Sequence, residues 1–176
     1  IKVNGKELVI TGTDLEVELS ATIALEAPTD EAGDITVPAR KLVDICKSLP
    51  DSCDISFTLD EGKAVVKSGR SRYTLATLPA ADFPSVQKDD SSFSATVNQG
   101  DFAQLIDRTA FSMAQQDVRY YLNGMLWELS GKKLKAVSTD GHRLAIAHID
   151  LVDKIEGDKQ QFIIPRKGIV ELTRLL

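Results

Sequence analysis

The sequence has few of the residues on which disulfide-linked, metal-binding and redox proteins depend. Its 176 residues include two cysteines, two histidines and one tryptophan. Cys46 and Cys53 match neither a disulfide framework nor a zinc pattern, so a reduced, cytoplasmic protein is expected. A phosphate-binding loop and a dinucleotide-binding fingerprint are both missing. The sequence therefore predicts no cofactor, no metal and no catalytic residues.

Long apolar runs are missing too. A membrane-spanning helix needs about 18 consecutive apolar residues, so no span and no membrane partner are expected. No signal peptide is visible. The chain starts at Ile1 in a strand-like segment and stops at Leu176 inside an uncapped helical pattern. Both ends look cut, which predicts a fragment of a longer protein.

The residues that are present suit a globular protein. Hydrophobic residues make up 43% of the chain and charged residues 27%, which is enough to form the core of one or two domains. The net charge of −5 argues against nucleic-acid binding through bulk positive charge. It leaves room for a local basic surface.

The first half reads mainly as strands around one helix. Apolar residues alternate over 15–25, which predicts a strand with one buried face. Pro38 is expected to open a helix that Pro50 ends, with Leu42, Ile45 and Leu49 on its apolar stripe. Further strands are predicted at 7–10, 35–37, 53–59, 63–68 and 71–78, with loops at 27–34 and 78–84.

The second half repeats this plan after a polar segment, 88–92, that predicts a domain boundary. The expected domains are 1–88 and 89–176. Helices are predicted at 99–114 and after Pro165, and a charged loop at 152–160. Strands are predicted at 92–97, 118–129, 133–138, 143–149 and 161–164.

The two halves also match residue by residue. Segment 37–49 aligns with 164–176 without a gap, and Thr13-Asp14 aligns with Thr139-Asp140 at nearly the same distance upstream. A repeat of about 126 residues has the size of a domain rather than of a solenoid unit. The sequence thus predicts an α+β fold of tandem domains, each an antiparallel sheet with helices on one face.

Basic residues recur in the aligned helices. Arg40 and Lys47 are two turns apart, as are Lys167 and Arg174. One interpretation is a solvated helix face with ion pairs to the intervening acids. The other is a shallow positive surface, repeated in each domain, that faces a phosphate backbone.

Several motifs together resemble the bacterial DNA polymerase III β subunit, the sliding clamp. They lie along essentially the whole chain: VPARK at 37–41, SGRSRY at 68–73, LPAADFP at 78–84, QDVRYYLNG at 116–124, STDGHRLA at 138–145 and IPRKG at 164–168.

The resemblance implies a ring of two subunits, each with three similar domains, with helices lining the hole and sheets outside. The chain would hold most of the first domain and part of the second, and the third would be absent. A ring that encircles duplex DNA slides and tethers a polymerase, without catalysis and without reading sequence. The implied partners are DNA, the catalytic subunit of DNA polymerase III, the clamp loader, and other polymerases and repair proteins that carry a short linear motif.

The resemblance also implies three sets of residues. The DNA contacts, of which Lys47 and Arg174 are added from helix phase alone, are Arg40, Lys47, Gln116, Tyr120, Tyr121, Arg166, Lys167 and Arg174. On an alternating strand, one of the two tyrosines would be a core residue. The partner-peptide cleft comprises Leu122, Thr139, Gly141, His142, Arg143 and Leu144. The surface that closes the ring in a full-length homodimer comprises Lys41, Ile45, Arg70, Arg72, Tyr73 and Leu75.

Two other functions fit some of the residues. Ser138, Asp140 and His142 suggest a catalytic triad, but residues two apart on a strand point the same way without meeting as nucleophile, base and orienter must. His142, His148 and Asp140 suggest a metal site, although no such spacing recurs. The remaining alternative is a protein-interaction module without a DNA role.

Overall fold

The computed structural model describes residues 1–26, 28–29, 32–85 and 93–176. The chain divides into two compact units, Ile1–Gln87 and Lys88–Leu176. The predicted boundary segment 88–92 lies outside the described residues. Each unit combines antiparallel sheet with helix, so the prediction of an α+β fold of tandem domains is confirmed.

The described residues of the first unit form two antiparallel sheets and one α-helix. One sheet has the strand order β3-β2-β1-β4 and the other β5-β6-β7. Its elements are β1 (Lys2–Asn4), β2 (Glu7–Thr13), β3 (Glu18–Ala24), β4 (Gly33–Asp34), α1 (Ala39–Ser48), β5 (Ser56–Asp60), β6 (Lys63–Ser68), β7 (Ser71–Ala76) and a 3₁₀ turn at Ala80–Asp82.

From residue 93 onward, the second unit forms one four-stranded antiparallel sheet, in the order β10-β9-β8-β11, and two α-helices. Its elements are α2 (Gln99–Ala110), a 3₁₀ turn at Tyr120–Leu122, β8 (Gly124–Ser130), β9 (Lys133–Thr139), β10 (Leu144–Asp150), β11 (Gln160–Pro165) and α3 (Arg166–Leu175). None of the helices among the described residues is long and apolar enough to cross a membrane.

Helix α2 covers one face of the second sheet. Its N-cap residue, Asn98, accepts hydrogen bonds from the backbone N–H groups of Gly100 (2.9 Å) and Asp101 (3.3 Å), which stabilises the first turn. Leu105 and Ile106 are buried against β9 and β10. The main core of this unit therefore lies between α2 and the sheet.

The internal repeat is visible as the same turn in both units. In the first unit, Asp14 accepts hydrogen bonds from the N–H groups of residues two and three positions later (both 3.1 Å). Asp140 does the same in the second unit, at 2.9 and 3.0 Å. The residue after each aspartate has positive φ: 77° at Leu15 and 90° at Gly141. The two Thr-Asp pairs therefore build equivalent connections, β2 to β3 and β9 to β10.

One apolar sheet face of the first unit is exposed. Leu8 lies opposite Ile23, and Ile10 opposite Ala21, on the face that the alternation in 15–25 predicted to be buried. Ile10, Leu19 and Ile23 are nevertheless exposed, so that prediction is wrong for the described residues. The cause is a missing cover: α2 lies over the corresponding face of the second sheet, and no described helix does so here.

Three predicted strands differ from the structure. The strand predicted at 35–37 is replaced by β4 and an isolated bridge from Thr36 to Leu78. Residues 93–97 form no strand. Their described backbone contact with the rest of the unit is one hydrogen bond, in which the Thr96 carbonyl accepts from Val152 N–H just after β10, at 2.9 Å. Residues 118–123 form a loop because Asp117 and Asn123 bond to each other across it, at 2.9 and 2.8 Å. Strand β8 accordingly starts at Gly124.

The second helix is shorter than predicted. It ends at Ala110 instead of 114. The backbone N–H groups of Ser112 and Met113 bond three residues back, to Thr109 and Ala110, which tightens the chain out of α-helical geometry.

Candidate functional site

Both repeat helices carry cations where a helix ordinarily favours anions. Arg40 and Lys41 lie in the first turn of α1, and Arg166 and Lys167 in the first turn of α3. Neither first turn has an acidic residue, and neither N-cap proline supplies a side-chain hydrogen bond. The N–H groups and the positive end of the helix dipole are unfavourable for these cations and favourable for an anion. Each helix start therefore has a local excess of positive charge.

The far ends of the helices separate the two interpretations of the basic residues. Arg174 in α3 pairs with Glu171, Nη1 to Oε1 2.7 Å, as the ion-paired face predicts. In α1, by contrast, Arg40 and Lys47 are exposed and form no ion pair with any residue that the structure describes. The ion-paired face is therefore present in α3 and not between the described residues of α1.

Arg166 connects α3 to the loop that carries other predicted DNA contacts. Its Nη1 donates to the Met113 carbonyl at 3.3 Å, and its backbone N–H donates to the Asn123 carbonyl at 2.8 Å. These two bonds tie the start of α3 to loop 111–123. Arg166 is therefore half-buried and acts partly as a structural residue.

Loop 111–123 presents Gln116, Tyr120 and Tyr121 to solvent. Gln116 is exposed and has φ 58°. Tyr120 is 83% exposed and Tyr121 52%, and their ring centroids are 6.0 Å apart in an edge-to-face pair. The expectation that one of them is a core residue is wrong, because both lie on a 3₁₀ turn rather than on a strand.

The predicted cleft is built on a rigid turn between β9 and β10. The Thr139 hydroxyl accepts from Gly141 N–H (3.1 Å) and donates to the Arg143 carbonyl (2.7 Å). Asp140 accepts from the N–H groups of His142 and Arg143, and from Arg143 Nε at 2.9 Å. These bonds lower the pKa of Asp140 to about 2, so the turn stays charged and locked across the neutral range.

The structure adds Arg119 to this turn, which sequence reasoning missed. A Cβ atom on Gly141 would lie 3.2 Å from Arg119 Nη2. Asp117 holds the guanidinium in a two-pronged pair, Nε to Oδ1 3.0 Å and Nη2 to Oδ2 2.9 Å. The hydrogen bonds from Arg119 lower the pKa of Asp117 to about 2. The Asp-x-Arg spacing within the matched segment was the available signal.

Apolar side chains surround the charged turn. Phe111, also missed by sequence reasoning, is exposed and lies under Arg143, whose Cζ is 5.5 Å from the ring centroid. Leu122 is half-buried, and Leu144 is exposed at the start of β10. Exposed apolar groups beside fixed guanidinium groups can hold an apolar peptide side chain and a peptide carbonyl or carboxylate.

Two members of the predicted ring-closing surface are buried within the first unit. Ile45 and Leu75 are only 8% and 5% exposed and belong to the core cluster of the first unit, because both point between α1 and the β5-β6-β7 sheet. Tyr73 is half-buried and its hydroxyl lies 3.3 Å from Ser48 Oγ. The exposed members of the predicted set are Lys41, Arg70 and Arg72, the last paired loosely with Asp60 at 3.9 Å. Strand β7, which carries Arg72 and Tyr73, is an edge of its sheet.

The geometry does not support a catalytic triad. Ser138 is buried, and its hydroxyl donates to the Thr109 carbonyl at the end of α2. Asp140 and His142 lie on the turn beyond the end of the strand. The described part of the chain has no cluster of three or more histidine, cysteine or acidic side chains that could hold a metal ion.

Comparison with known sequences covers both units. The family described as DNA polymerase III beta subunit, N-terminal domain, matches residues 1–87, and its central domain matches residues 96–176. The beta sliding clamp of Pseudomonas putida is 58% identical over 174 residues, which cover 99% of this chain and 47% of that protein. The beta sliding clamp of Escherichia coli K12 is 49% identical over 169 residues, or 96% of this chain and 45% of that protein.

Comparison with solved structures agrees. The DNA polymerase III subunit beta of Pseudomonas aeruginosa superposes with a TM-score of 0.93 at 55% identity, covering 99% of this chain and 47% of that one. The Caulobacter crescentus clamp gives 0.88 at 37% identity, over 99% of this chain and 47% of that one. The chain thus spans about half the length of these relatives, and it belongs to the DNA polymerase III beta subunit family.

Proposed function

We propose that the chain is part of a sliding clamp that encircles duplex DNA and tethers the replicative polymerase to its template. The observation that carries this function is the repeated helix start, with two cations and no acid in each of α1 and α3. That arrangement weakens a helix unless an anion binds there, and one cation of each pair, Arg40 in α1 and Lys167 in α3, occupies an equivalent position in the internal repeat. The names of the relatives supply the function, beta sliding clamp.

The DNA contacts are electrostatic and independent of sequence. Arg40, Lys47, Lys167 and Arg174 contribute charge along two helices, and loop 111–123 contributes Gln116 and its tyrosines. Arg166 contributes mainly by holding that loop against α3. Contacts with phosphates carry no sequence information, so they are equivalent along the duplex and permit sliding, and they weaken as salt rises.

Partner proteins bind the cleft formed by the 139–144 turn and Leu122. Arg119 and Phe111 complete its described wall. The partners are the catalytic subunit of DNA polymerase III, the clamp loader, and other polymerases and repair proteins that present a short linear motif. A hydrophobic anchor in such a cleft gives affinity, and the fixed guanidinium groups orient the peptide backbone.

Ring closure in the full-length homodimer uses β7. Its outer edge offers unpaired backbone groups to a strand of the next subunit, and Lys41, Arg70 and Arg72 set the register by charge. Ile45 and Leu75 support this edge from inside the core. The protein works in the cytoplasm as an accessory factor and not as an enzyme.

The test is topological retention on DNA. The intact gene product would be loaded onto nicked circular DNA by a clamp loader, and its retention compared before and after the circle is linearised. We expect loss on linearisation, because a ring slides off an end. Equal retention on both forms would indicate ordinary affinity binding. Retention on neither, with a loader that works on a known clamp, would favour an interaction module without a DNA role.

A pair of variants tests the helix start in the same assay. Arg40→Ala with Lys47→Ala should reduce the amount loaded, and more strongly at low salt, because two phosphate contacts are lost and such contacts contribute most when salt is low. Lys2→Ala with Lys6→Ala makes the same charge change on β1 and the following turn, and should load normally. Equal loading by both variants would contradict a DNA-facing α1.

A further inference from the structure

The second sheet has an apolar row on the face away from α2. Ile146, Val137, Leu126 and Ile163 lie directly opposite one another across β10, β9, β8 and β11. We refer to these four residues as the outer row. Ile146 is 59% exposed and Ile163 47%, at the two ends of the row. The outer row is therefore a continuous apolar strip on a solvent-facing sheet.

The fold itself does not require an apolar outer row. In the first unit, the residues equivalent to Val137 and Ile146 are Thr11 and Ser20, which pair across β2 and β3 with their hydroxyl oxygens 2.7 Å apart. The same sheet is thus built with a polar pair at this position. An apolar strip that costs solubility and is not needed for folding indicates a contact surface.

The outer row is continuous with the cleft. The next pair on the same face, one step toward the turn, is Leu144 opposite Thr139, and both are cleft residues. Residues two apart on a strand are about 7 Å apart along it. A peptide in extended conformation can therefore place one side chain in the cleft and the next one or two on the outer row.

The other side of the outer row is positively charged. The next row contains His148, Lys135 and Glu128, and Glu128 is neutralised by Lys135 (2.7 Å) and Lys159 (2.8 Å). A hollow of about 360 Å³ opens here, lined by Glu128, Ser130, Lys133, Lys135 and His148. Three lysines against two acidic side chains, Glu128 and the Asp150 that lies opposite Lys133 on β10, leave one net positive charge, which favours an acidic group from a partner.

We propose that the outer row extends the partner cleft. It binds the segment of a partner protein that flanks the linear motif, in extended form, with apolar side chains at alternate positions followed by an acidic residue near Lys133 and Lys135. This inference rests on the proposed function, since the partner is a cleft-binding protein. The flanking contact raises the affinity of whole partners above that of their motif alone.

The test compares two probes on the intact gene product. The probes are the catalytic subunit of DNA polymerase III from the same organism and a short peptide that carries only its linear motif. The row variant, Val137→Thr with Ile146→Ser, introduces the residues that the first unit already uses at these positions. It should lower the affinity for the catalytic subunit roughly tenfold, because the partial burial of two branched side chains is lost. The affinity for the short peptide should not change.

A cleft variant separates this inference from the proposed function. Leu122→Ala with His142→Ala should lower the affinity for both probes. If it weakens neither, the cleft itself is refuted. If the cleft variant lowers the affinity for both probes while the row variant leaves the affinity for the catalytic subunit unchanged, the cleft is supported and the role of the outer row is refuted. Weaker binding of the short peptide by the row variant would also overturn the extension, since the row would then act through the cleft.

Charge reversal tests the acidic end of the segment. Lys133→Glu should lower the affinity for the catalytic subunit severalfold and reduce the salt dependence of its binding. Lys132→Glu makes the same change at the neighbouring turn position, outside the lining of the hollow. Equal effects of the two variants would overturn the assignment of an acidic residue to the hollow.

Discussion

At the scale of single residues, the repeat supplies a natural control for backbone strain. Leu15 and Gly141 occupy equivalent positions after the Asp of each turn, with φ 77° and 90°. Only glycine adopts this region without cost, and a leucine there is strained by roughly 1–2 kcal/mol. The first unit therefore stores strain at a position where the second unit has none.

Exchange of residue types at these positions should have opposite effects. Leu15→Gly should stabilise the first unit by about 0.5–1 kcal/mol, since relief of strain exceeds the added chain entropy. Gly141→Ala should destabilise the second by about 1–2 kcal/mol, because its Cβ also meets the Arg119 guanidinium. Urea denaturation of the 176-residue chain measures both free energies of unfolding. A destabilised Leu15→Gly variant would contradict the strain.

Residue-scale contacts were also the least predictable part of the site. The matched motifs point to the turn at 139–144, yet the contact of Gly141 with Arg119 depends on a loop that lies 22 residues upstream in sequence. Likewise, helical spacing places Ile45 on an apolar stripe but does not say whether that stripe faces a partner or the core. Burial depends on tertiary packing, which a single sequence does not encode locally.

At the scale of elements, helix cover decides how much a sheet residue contributes to stability. Leu8 and Leu134 are equivalent in the repeat and lie opposite Ile23 and Ile149, respectively. Leu134 is buried under α2, whereas Leu8 lies on the face that no described helix covers. The same residue type in the same strand position thus has two environments.

Truncation of the two leucines should therefore have unequal costs. Leu134→Ala should lower the free energy of unfolding of the second unit by about 2–4 kcal/mol through loss of burial and formation of a cavity. Leu8→Ala should cost the first unit about 1 kcal/mol or less. Amide NMR signals from each unit, followed through a urea titration of the 176-residue chain, separate the two values. Equal costs would mean that another segment covers Leu8.

Elements with a strong hydrophobic periodicity were predicted well. Strands that depend on backbone hydrogen bonds to a neighbouring strand were not. The stripe of Leu42, Ile45 and Leu49 gave the helix that begins after Pro38. Residues 93–97 alternate in polarity as a strand does, and Phe93 and Val97 do pack on the core. They form no strand because a strand also needs a neighbour for its backbone bonds. The pattern indicates which side chains are buried and not which backbones are paired.

At the scale of the whole molecule, the two units differ in the size of their cores. The second unit has a buried cluster of nine residues, whereas the cluster in the first contains Ile45, Ala64, Val66 and Leu75. Stability scales with the apolar area removed from water, and an uncovered sheet face lowers that area further in the first unit. The first unit should therefore unfold before the second.

The single tryptophan makes this order measurable. Trp127 lies in the second unit, packed edge-on against Phe102 and Phe162 at centroid distances of 5.2 and 6.0 Å. In a urea titration of the 176-residue chain, tryptophan fluorescence should change at a higher concentration than far-UV circular dichroism, which reports both units. Val66→Ala should lower the free energy of unfolding of the first unit, and Leu105→Ala that of the second, by about 1–4 kcal/mol each. The first variant should therefore increase the difference in urea concentration between the two transitions, and the second should decrease it. Coincident transitions in all three proteins would show that the chain unfolds as one cooperative unit and would contradict the predicted order.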